Sequence, residues 1–254
     1  MKEKVTIQIL GTGTILSDRN RSCSSTLIKH KNLNILVDAG PGTYTRLKEV
    51  NIKSNELNYI FITHFHPDHV SDLIPILFSL ANLPETEGRV SLNVIGPVGL
   101  NNFIKGMELS YGNWLEIFRT KFNLIELTNE IFLYEDFTFI WKKLKHTHES
   151  IGYRFEFNDK VVAISGDSGY CSELIELSQN ADIAILECAY PDSFQVEGHL
   201  SPGLVGKIAQ QIKVKKIVLT HLYPETFNSN PLKIIKNYYQ GCMVIGKDLD
   251  QFSL

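Results

Sequence analysis

Residues 63–72 read THFHPDHVSD, three histidines and two aspartates in ten positions. The apolar strand-like run NYIFI precedes them and the apolar helix-like run LIPILFSL follows. A strand before the cluster and a helix after it supply the rigid support that a metal site requires. In an extended segment alternate side chains point the same way, so His64 and His66 can face one ion. Pro67 turns the chain, and Asp68 and His69 then stand where it enters a helix, displaced from the first pair. Four ligand-type side chains within residues 64–69 exceed what one closed tetrahedral site takes from so short a segment. Two neighbouring ions sharing the cluster explain the count better. A polar loop with chance histidines is the bland alternative. A lone histidine such as His30 reads as an ordinary surface or core residue.

The rest of the chain supplies strands and helices in alternation, with no repeat, low-complexity tract or linker. It reads as one continuous domain over residues 1–254. VTIQIL is a strand ending in Gly11-Thr12-Gly13, and TLIKH with NILVDAG forms a hairpin. HVSDLIPILFSL reads as one short helix with Pro75 in or near its first turn. GLNNFIKGMEL is a second helix. A strand-rich middle follows: FNLIEL, FTFIWKKLK, IGYRFEF and KVVAIS. Helices at YCSELIELSQ, SPGLVGKIAQQIK and PLKIIKNYYQ then alternate with the strands DIAILEC and KIVLTH. VVAIS, DIAIL and KIVLT are apolar on both faces, as in sheets covered by helices, which predicts a layered α/β domain.

Three further ligand-type positions share one placement. Asp167 follows the strand VVAIS, His221 follows KIVLT, and His146 follows FTFIWKKLK. Strand ends at one edge of a sheet are where α/β proteins assemble sites. Gly166 and Gly169 leave room around Asp167, whose plainer reading is a helix N-cap for YCSELIEL.

Composition narrows the function classes. The chain is 43% hydrophobic and 21% charged, as expected of a globular protein, and its formal net charge of −3 gives no global basic field for long nucleic acid. No apolar run approaches the roughly 20 residues of a membrane span, and the N-terminus lacks the pattern of a signal peptide. Cys23, Cys171, Cys188 and Cys242 form no CxxC pair, so free thiols in a reducing cytoplasm are the simplest reading.

At these residues the sequence resembles the metallo-β-lactamase superfamily of metallohydrolases. The resemblance implies an αββα sandwich, two mixed β-sheets flanked by helices with a metal site at one edge. Carried over by motif, it implies His64, His66 and His146 on one divalent ion, Asp68, His69 and His221 on a second, and Asp167 bridging both. Zinc is the usual occupant, with manganese, iron or nickel in relatives, and the N/O donor set does not choose among them. His146 fits the family spacing to Gly152 better than His148 does. Within the superfamily the chain looks like the ribonuclease Z and cyclic-nucleotide phosphodiesterase branch. LGTGT, the loop holding Arg19-Asn20, LECAY and GHLSP carry that likeness. It implies that Glu187 and His199 work as a pair near the leaving group, with Asp68 able to orient the nucleophile.

Ribonuclease Z relatives carry an arm between the Gly-Tyr-Arg strand and the Gly-Asp motif. Here Gly152 to Gly166 holds only a strand, a turn at Asn158-Asp159 and a second strand. That departure favours a small substrate over tRNA. Size and motif layout are similar to those of the anti-Pycsar phosphodiesterases of phages and bacteria, which degrade cyclic mononucleotide signals. A homodimer is expected by the same likeness. A tRNA 3′-end endonuclease, a lactonase or thioester hydrolase, and a non-enzymatic metal binder remain as alternatives. Tyr111 and Trp114 in YGNW are expected in a loop, to stack on a base, cross a dimer interface or pack in the core. Gly11-Thr12-Gly13 and Ser24-Ser25 offer N–H groups and hydroxyls to a phosphate, unless they serve only a tight turn.

Overall fold

The structure is a computed structural model that describes residues 4–16, 18–82, 91–112, 122–128, 131–134 and 136–254. The chain divides into two compact units, each interrupted in sequence. The first holds Met1–Gly11, Ser22–Thr128 and Asp248–Ser253. The second holds Thr12–Arg21, Asn129–Lys247 and Leu254.

The first unit is built on β1 (Val5–Gly11), β2 (Ser25–His30), β3 (Leu33–Val37), β4 (Tyr59–Phe61), β5 (Leu92–Gly96), β6 (Phe122–Glu126) and the last strand, β14 (Gln251–Ser253). They form one sheet in the order β14-β1-β2-β3-β4-β5-β6. The pairs from β14 to β3 are antiparallel, and those from β3 to β6 are parallel. β2 and β3 are joined tightly: His30 pairs with Leu33 across a two-residue turn in which Lys31 takes φ 52°. Parallel neighbours need crossovers. These are α1 (Thr43–Glu49), then α2 (Pro67–Val70) with α3 (Leu73–Asn82), then α4 (Leu100–Tyr111). Leu36, Ile60, Leu92 and Val94 of the strands bury with Leu47, Leu73, Ile76, Leu77 and Ile104 of the helices. The alternate strand residues Ile35, Val37, Phe61 and Ile95 are buried too, so both faces of this sheet are covered.

The single helix expected over residues 69–80 is two, broken at Ser71-Asp72. The Asp72 N–H donates to the Ala39 carbonyl at 2.8 Å, and its carboxylate accepts from the Gly42 and Tyr44 N–H groups at 3.0 and 2.9 Å. These bonds fix Asp72 against the turn that follows β3. The helix restarts there, with the Ile76 N–H returning to the Asp72 carbonyl. Pro75 is the third residue of α3, where its missing N–H costs little.

The second unit repeats the plan. Its sheet runs β13-β12-β11-β10-β9-β8-β7. The strands are β7 (Ile131–Leu133), β8 (Thr138–Lys143), β9 (Ile151–Phe157), β10 (Lys160–Ile164), β11 (Ile183–Glu187), β12 (Lys216–Thr220) and β13 (Cys242–Ile245). Pairs from β7 to β10 are antiparallel and those from β10 to β13 parallel. Helices α5 (Ser172–Ser178), α6 (Pro202–Ala209), α7 (Pro224–Asn228) and α8 (Pro231–Ile235) follow β10, β11 and β12. Leu174, Val205, Ile208 and Ile235 of these helices bury with Ala163, Ala184, Leu186, Ile217 and Leu219. The helix expected over PLKIIKNYYQ stops at Ile235, because the Tyr238 and Tyr239 N–H groups both return to its carbonyl and close the chain in a tightened turn. β9 and β10 join through Asn158-Asp159, with Phe157 paired to Lys160 and Asn158 at φ 52°, so nothing is inserted between Gly152 and Gly166.

No helix among the described residues is long and apolar enough to cross a membrane. All four cysteines are free. Burial, then the Asp68 charge, push the Cys23 thiol up to about 12, which makes it an inert packing group.

Ile60 lies fully buried in β4, the strand that leads into the histidine cluster. Ile60→Ala is expected to cost about 2–5 kcal/mol of unfolding free energy through the cavity it leaves. Urea denaturation checks this: the midpoint falls with an unchanged slope.

Candidate metal centre

In the first unit the cluster is held by the segment Asp38-Ala39-Gly40 that follows β3. The Ala39 N–H donates to the His69 carbonyl at 2.7 Å. A Cβ on Gly40 would lie 2.0 Å from the Asp68 carbonyl oxygen, so only glycine allows this approach. His66 is the N-cap of α2, in extended backbone, with Pro67 at the first helical position. Asp68 and His69 are then buried in the first turn.

Asp38 sets the imidazoles. It is buried, with φ 60°, and accepts from the Thr63 N–H and the Thr63 hydroxyl, both at 2.8 Å. Its Oδ2 also lies 2.7 Å from His69 Nδ1. A carboxylate only accepts, so His69 carries its proton on Nδ1 and presents the Nε2 lone pair. Thr63 spends its own proton on Asp38, so its oxygen accepts from His64 Nδ1 at 3.0 Å and fixes the same tautomer there. The His64 ring centroid is 4.7 Å from that of His66 and 4.1 Å from that of His69. Three imidazoles thus crowd together with two of them in the ligand tautomer.

The second unit gathers His146, Asp167, Glu187, His199 and His221. His146 donates from Nδ1 to the Gly198 carbonyl at 3.0 Å, leaving Nε2 as the lone-pair nitrogen. His148 is exposed. Gly198 sits at φ 84°, and a Cβ there would meet His146 Nδ1 at 3.0 Å. Asp167 stands after β10 beside Gly166 at φ 58°. It does not cap α5, whose N-cap is Cys171. His221 takes φ 54° at the end of β12, and its N–H donates to the Thr12 carbonyl at 2.8 Å.

Asp167 Oδ2 lies 3.8 Å from His146 Nε2 and 3.4 Å from His221 Nε2. Those separations are long for hydrogen bonds. The His221 separation matches the edge of a coordination tetrahedron, since ligands about 2.1 Å from a zinc ion stand about 3.4 Å apart. One donor atom each from Asp167, His199 and His221 lies within 4.8 Å of the others. Acceptor-only carboxylates and tautomer-fixed imidazoles are the donor chemistry of a divalent transition-metal site, so the residues present fit such an ion.

Glu187, at the end of β11, is buried and fully engaged. Its Oε1 accepts from the Ser168 N–H at 2.7 Å and from His199 Nδ1 at 3.0 Å. Its Oε2 accepts from the Ala189 and Leu200 N–H groups at 3.2 and 3.1 Å. Burial pushes the carboxyl above its ordinary value, the His199 bond pulls it back, and the Asp167 charge adds to the rise. The His199 ring lies 4.6 Å from that of His146 and is stacked 5.9 Å from that of His221.

Several of these supports carry no flag in the sequence reading. Asp38 ends an apolar strand just as Asp167 does, and that shared placement is the signal that could have found it. Thr63 and Arg21 had no such signal. Arg21, two residues from Arg19, donates to Thr12 Oγ1 at 2.7 Å and to the Gly246 carbonyl at 2.9 Å. The Ser25 hydroxyl, expected as a phosphate donor, is buried and donates to the Asp38 carbonyl at 3.0 Å instead. Gly11 is required by the Cys23 carbonyl, 1.7 Å from where its Cβ would be. Tyr111, expected in a loop, is the last residue of α4 and 57% exposed, so it is not core. Trp114 lies outside the described residues.

A family model described as anti-Pycsar protein Apyc1 matches residues 5–237. Ribonuclease Z of Borreliella afzelii (strain PKo) is 29% identical over 273 residues, covering 85% of this chain and 84% of that protein. Among solved structures, the metallo-β-lactamase fold protein YhfI from Bacillus subtilis superposes with a TM-score of 0.84 at 23% identity, over 99% of this chain and 100% of that one. Human tRNase Z, short form, gives 0.76 at 23% identity, over 97% and 98%. The two mixed sheets with their helices are therefore those of the metallo-β-lactamase fold.

Asp38→Asn replaces the ionic acceptor of His69 with an amide. Metal affinity is expected to fall about 10–100-fold with the circular dichroism spectrum retained. Titration against a metal chelator reads this out, and wild-type retention of metal would dismiss the orienting role of Asp38.

Proposed function

The chain belongs to the anti-Pycsar protein Apyc1 family, and from that premise we propose that it is a binuclear metal-dependent phosphodiesterase that opens 3′,5′-cyclic mononucleotides to 5′-monophosphates. cCMP, cUMP, cAMP and cGMP are the substrate class, and removing them would defeat cyclic-nucleotide antiphage signalling. The observation that carries a small substrate is the bare two-residue turn between β9 and β10, which leaves no arm to hold a tRNA.

In this reading His64, His66 and His146 hold one ion, Asp68, His69 and His221 hold the other, and Asp167 serves both, within one functional domain spanning residues 1–254. Zinc suits the imidazole-rich set, and manganese, iron or nickel are tolerated by the same donors. When bound, the ions lower the pKa of a water and offset charge on the phosphodiester oxygens. The protein's own groups do the rest. Asp38 and Thr63 hold His69 and His64 in the ligand tautomer. Asp68 accepts a proton-bearing edge of the attacking water and orients it. Glu187 accepts from His199 Nδ1 and orients that ring. His199 holds a proton at Nε2 and passes it to the leaving ribose 3′-oxygen. Tyr190, whose ring lies 5.4 Å from that of His199, limits the room for water beside that proton.

The enzyme works in the cytoplasm in this reading, where free thiols persist, and as a homodimer. Exposed Tyr111 and Leu109 at the end of α4 are apolar groups suited to such an interface. Sedimentation tests it, and a monomer at micromolar concentration refutes it.

A ribonuclease Z-type tRNA 3′-end endonuclease is the second reading, supported by the 29% identity to the Borreliella protein. A turnover screen of cyclic mono- and dinucleotides beside precursor tRNA separates the two. Cleavage of precursor tRNA alone overturns the first. His66→Ala and Asp167→Ala are expected to abolish turnover while leaving the fold. His199→Ala is expected to lower kcat about 10²–10⁴-fold and keep its metal. Metal loss in the His199 variant, measured by elemental analysis, would show that it ligates rather than donates.

A further inference from the structure

A cleft of about 620 Å³ opens in the second unit beside His199, lined by Leu16, Tyr190, Phe194, Tyr223, Glu225 and neighbouring serines. Tyr190 follows β11 and Tyr223 precedes α7. Their rings stack at 4.5 Å with an interplanar angle of 19°. Tyr190 lies edge-on to His199, and Tyr223 edge-on to His221 at 6.1 Å. Phe194 meets Tyr190 edge-on at 6.0 Å, yet remains 64% exposed, and Leu16 is 53% exposed.

The wall is rigid where it meets the histidines. The Tyr190 N–H donates to the Leu200 carbonyl, and the Tyr223 N–H and Thr226 hydroxyl both donate to the Ala189 carbonyl. The main chain at both tyrosines is thus tied to the segment that also carries His199 and Glu187. The outer part is open, with two large apolar side chains facing solvent. A rigid aromatic wall with an exposed apolar rim is suited to a flat ring.

Resting on the cyclic-nucleotide reading, we infer that the Tyr190–Tyr223–Phe194 cleft is the nucleobase subsite. It takes the base of a mononucleotide by stacking, while the phosphodiester lies at the His/Asp cluster next to His199. Charge selects the same occupant. Glu225 is the one charged side chain among the described lining residues, and its carboxylate repels a phosphate. The cleft therefore suits a neutral ring and not a nucleic-acid backbone or a second phosphate. Every base has a π face, so recognition by stacking predicts tolerance for all four bases.

Calorimetry on the metal-loaded protein tests this without turnover, using the proposed product 5′-AMP against ribose 5-phosphate. Wild type is expected to bind 5′-AMP at least tenfold more tightly. Phe194→Ala, at an exposed position that leaves the core intact, is expected to remove about tenfold of 5′-AMP affinity and nothing from ribose 5-phosphate. Phe194→Trp is expected to restore it. In turnover, Phe194→Ala and Tyr223→Leu raise KM for cyclic nucleotides, with no change on base-free 3′,5′-cyclic ribose phosphate. Equal binding of 5′-AMP and ribose 5-phosphate by wild type, or an equal loss on both ligands in the variants, overturns the subsite. Neither result touches cyclic-nucleotide turnover by wild type. Conversely, an enzyme that ignores cyclic nucleotides but still prefers 5′-AMP refutes the proposed substrate and leaves the subsite standing.

Discussion

A carboxylate taken out of water has to be met by hydrogen-bond donors, and that requirement organises both halves of this protein. Asp38 in the first unit and Glu187 in the second are buried to within a few per cent, and both sit where a strand ends. Asp38 accepts from the N–H and hydroxyl of Thr63, Glu187 from three backbone N–H groups, and each also takes one imidazole Nδ1. Because the carboxylate only accepts, the imidazole proton must point at it, and the other ring nitrogen is presented to the site. Asp38 fixes His69, and through Thr63 also His64, with the proton on Nδ1 and the Nε2 lone pair presented. Glu187 holds His199 by its Nδ1 in the same way. One electrostatic rule orients an imidazole in each unit.

Holding those side chains calls for backbone that leaves the strand abruptly. Asp38 and His221 are non-glycine residues in the left-handed region, a conformation that costs of order 1–3 kcal/mol and persists only where the surroundings over-determine it. Here they do. The Asp38 carboxylate has three donors, and the His221 N–H is fixed on the Thr12 carbonyl. Gly40 and Gly198 do the complementary work, since a side chain at either would collide with the Asp68 carbonyl or the His146 ring.

These constraints explain the division of labour around His199. The same short segment, residues 187–201, provides the carboxylate, the imidazole and the aromatic ring of Tyr190 that begins the adjoining cleft. The fixed Ala189 and Leu200 carbonyls tie Tyr223 and Tyr190 to that segment. The Glu187–His199 pair and the Tyr190–Tyr223 cleft thus share one scaffold, and β9 joins β10 by a two-residue turn with nothing inserted between them.

Much of this was legible in the chain as written. The alternation of two-sided apolar strands with amphipathic runs determined the layered α/β class, because buried parallel strands and their crossovers leave a local pattern. The density of histidine and aspartate in residues 64–69 determined the kind of chemistry, because no structural role calls for that spacing. The placement of Asp167, His146 and His221 at strand ends was legible for the same local reason. Only the tertiary structure decided what supports them. Asp38 reads as any strand-end acid until Thr63 and His69 come to it, and Ser25 reads as a phosphate donor until its hydroxyl is seen on the Asp38 carbonyl. The break of the helix at Asp72 and the stacking of Tyr190 on Tyr223 likewise depend on partners far away in the chain. Periodicity and motif spacing record what a residue does with its neighbours along the chain. Which donor meets which buried acceptor is settled by packing between elements, and packing leaves no trace in local order.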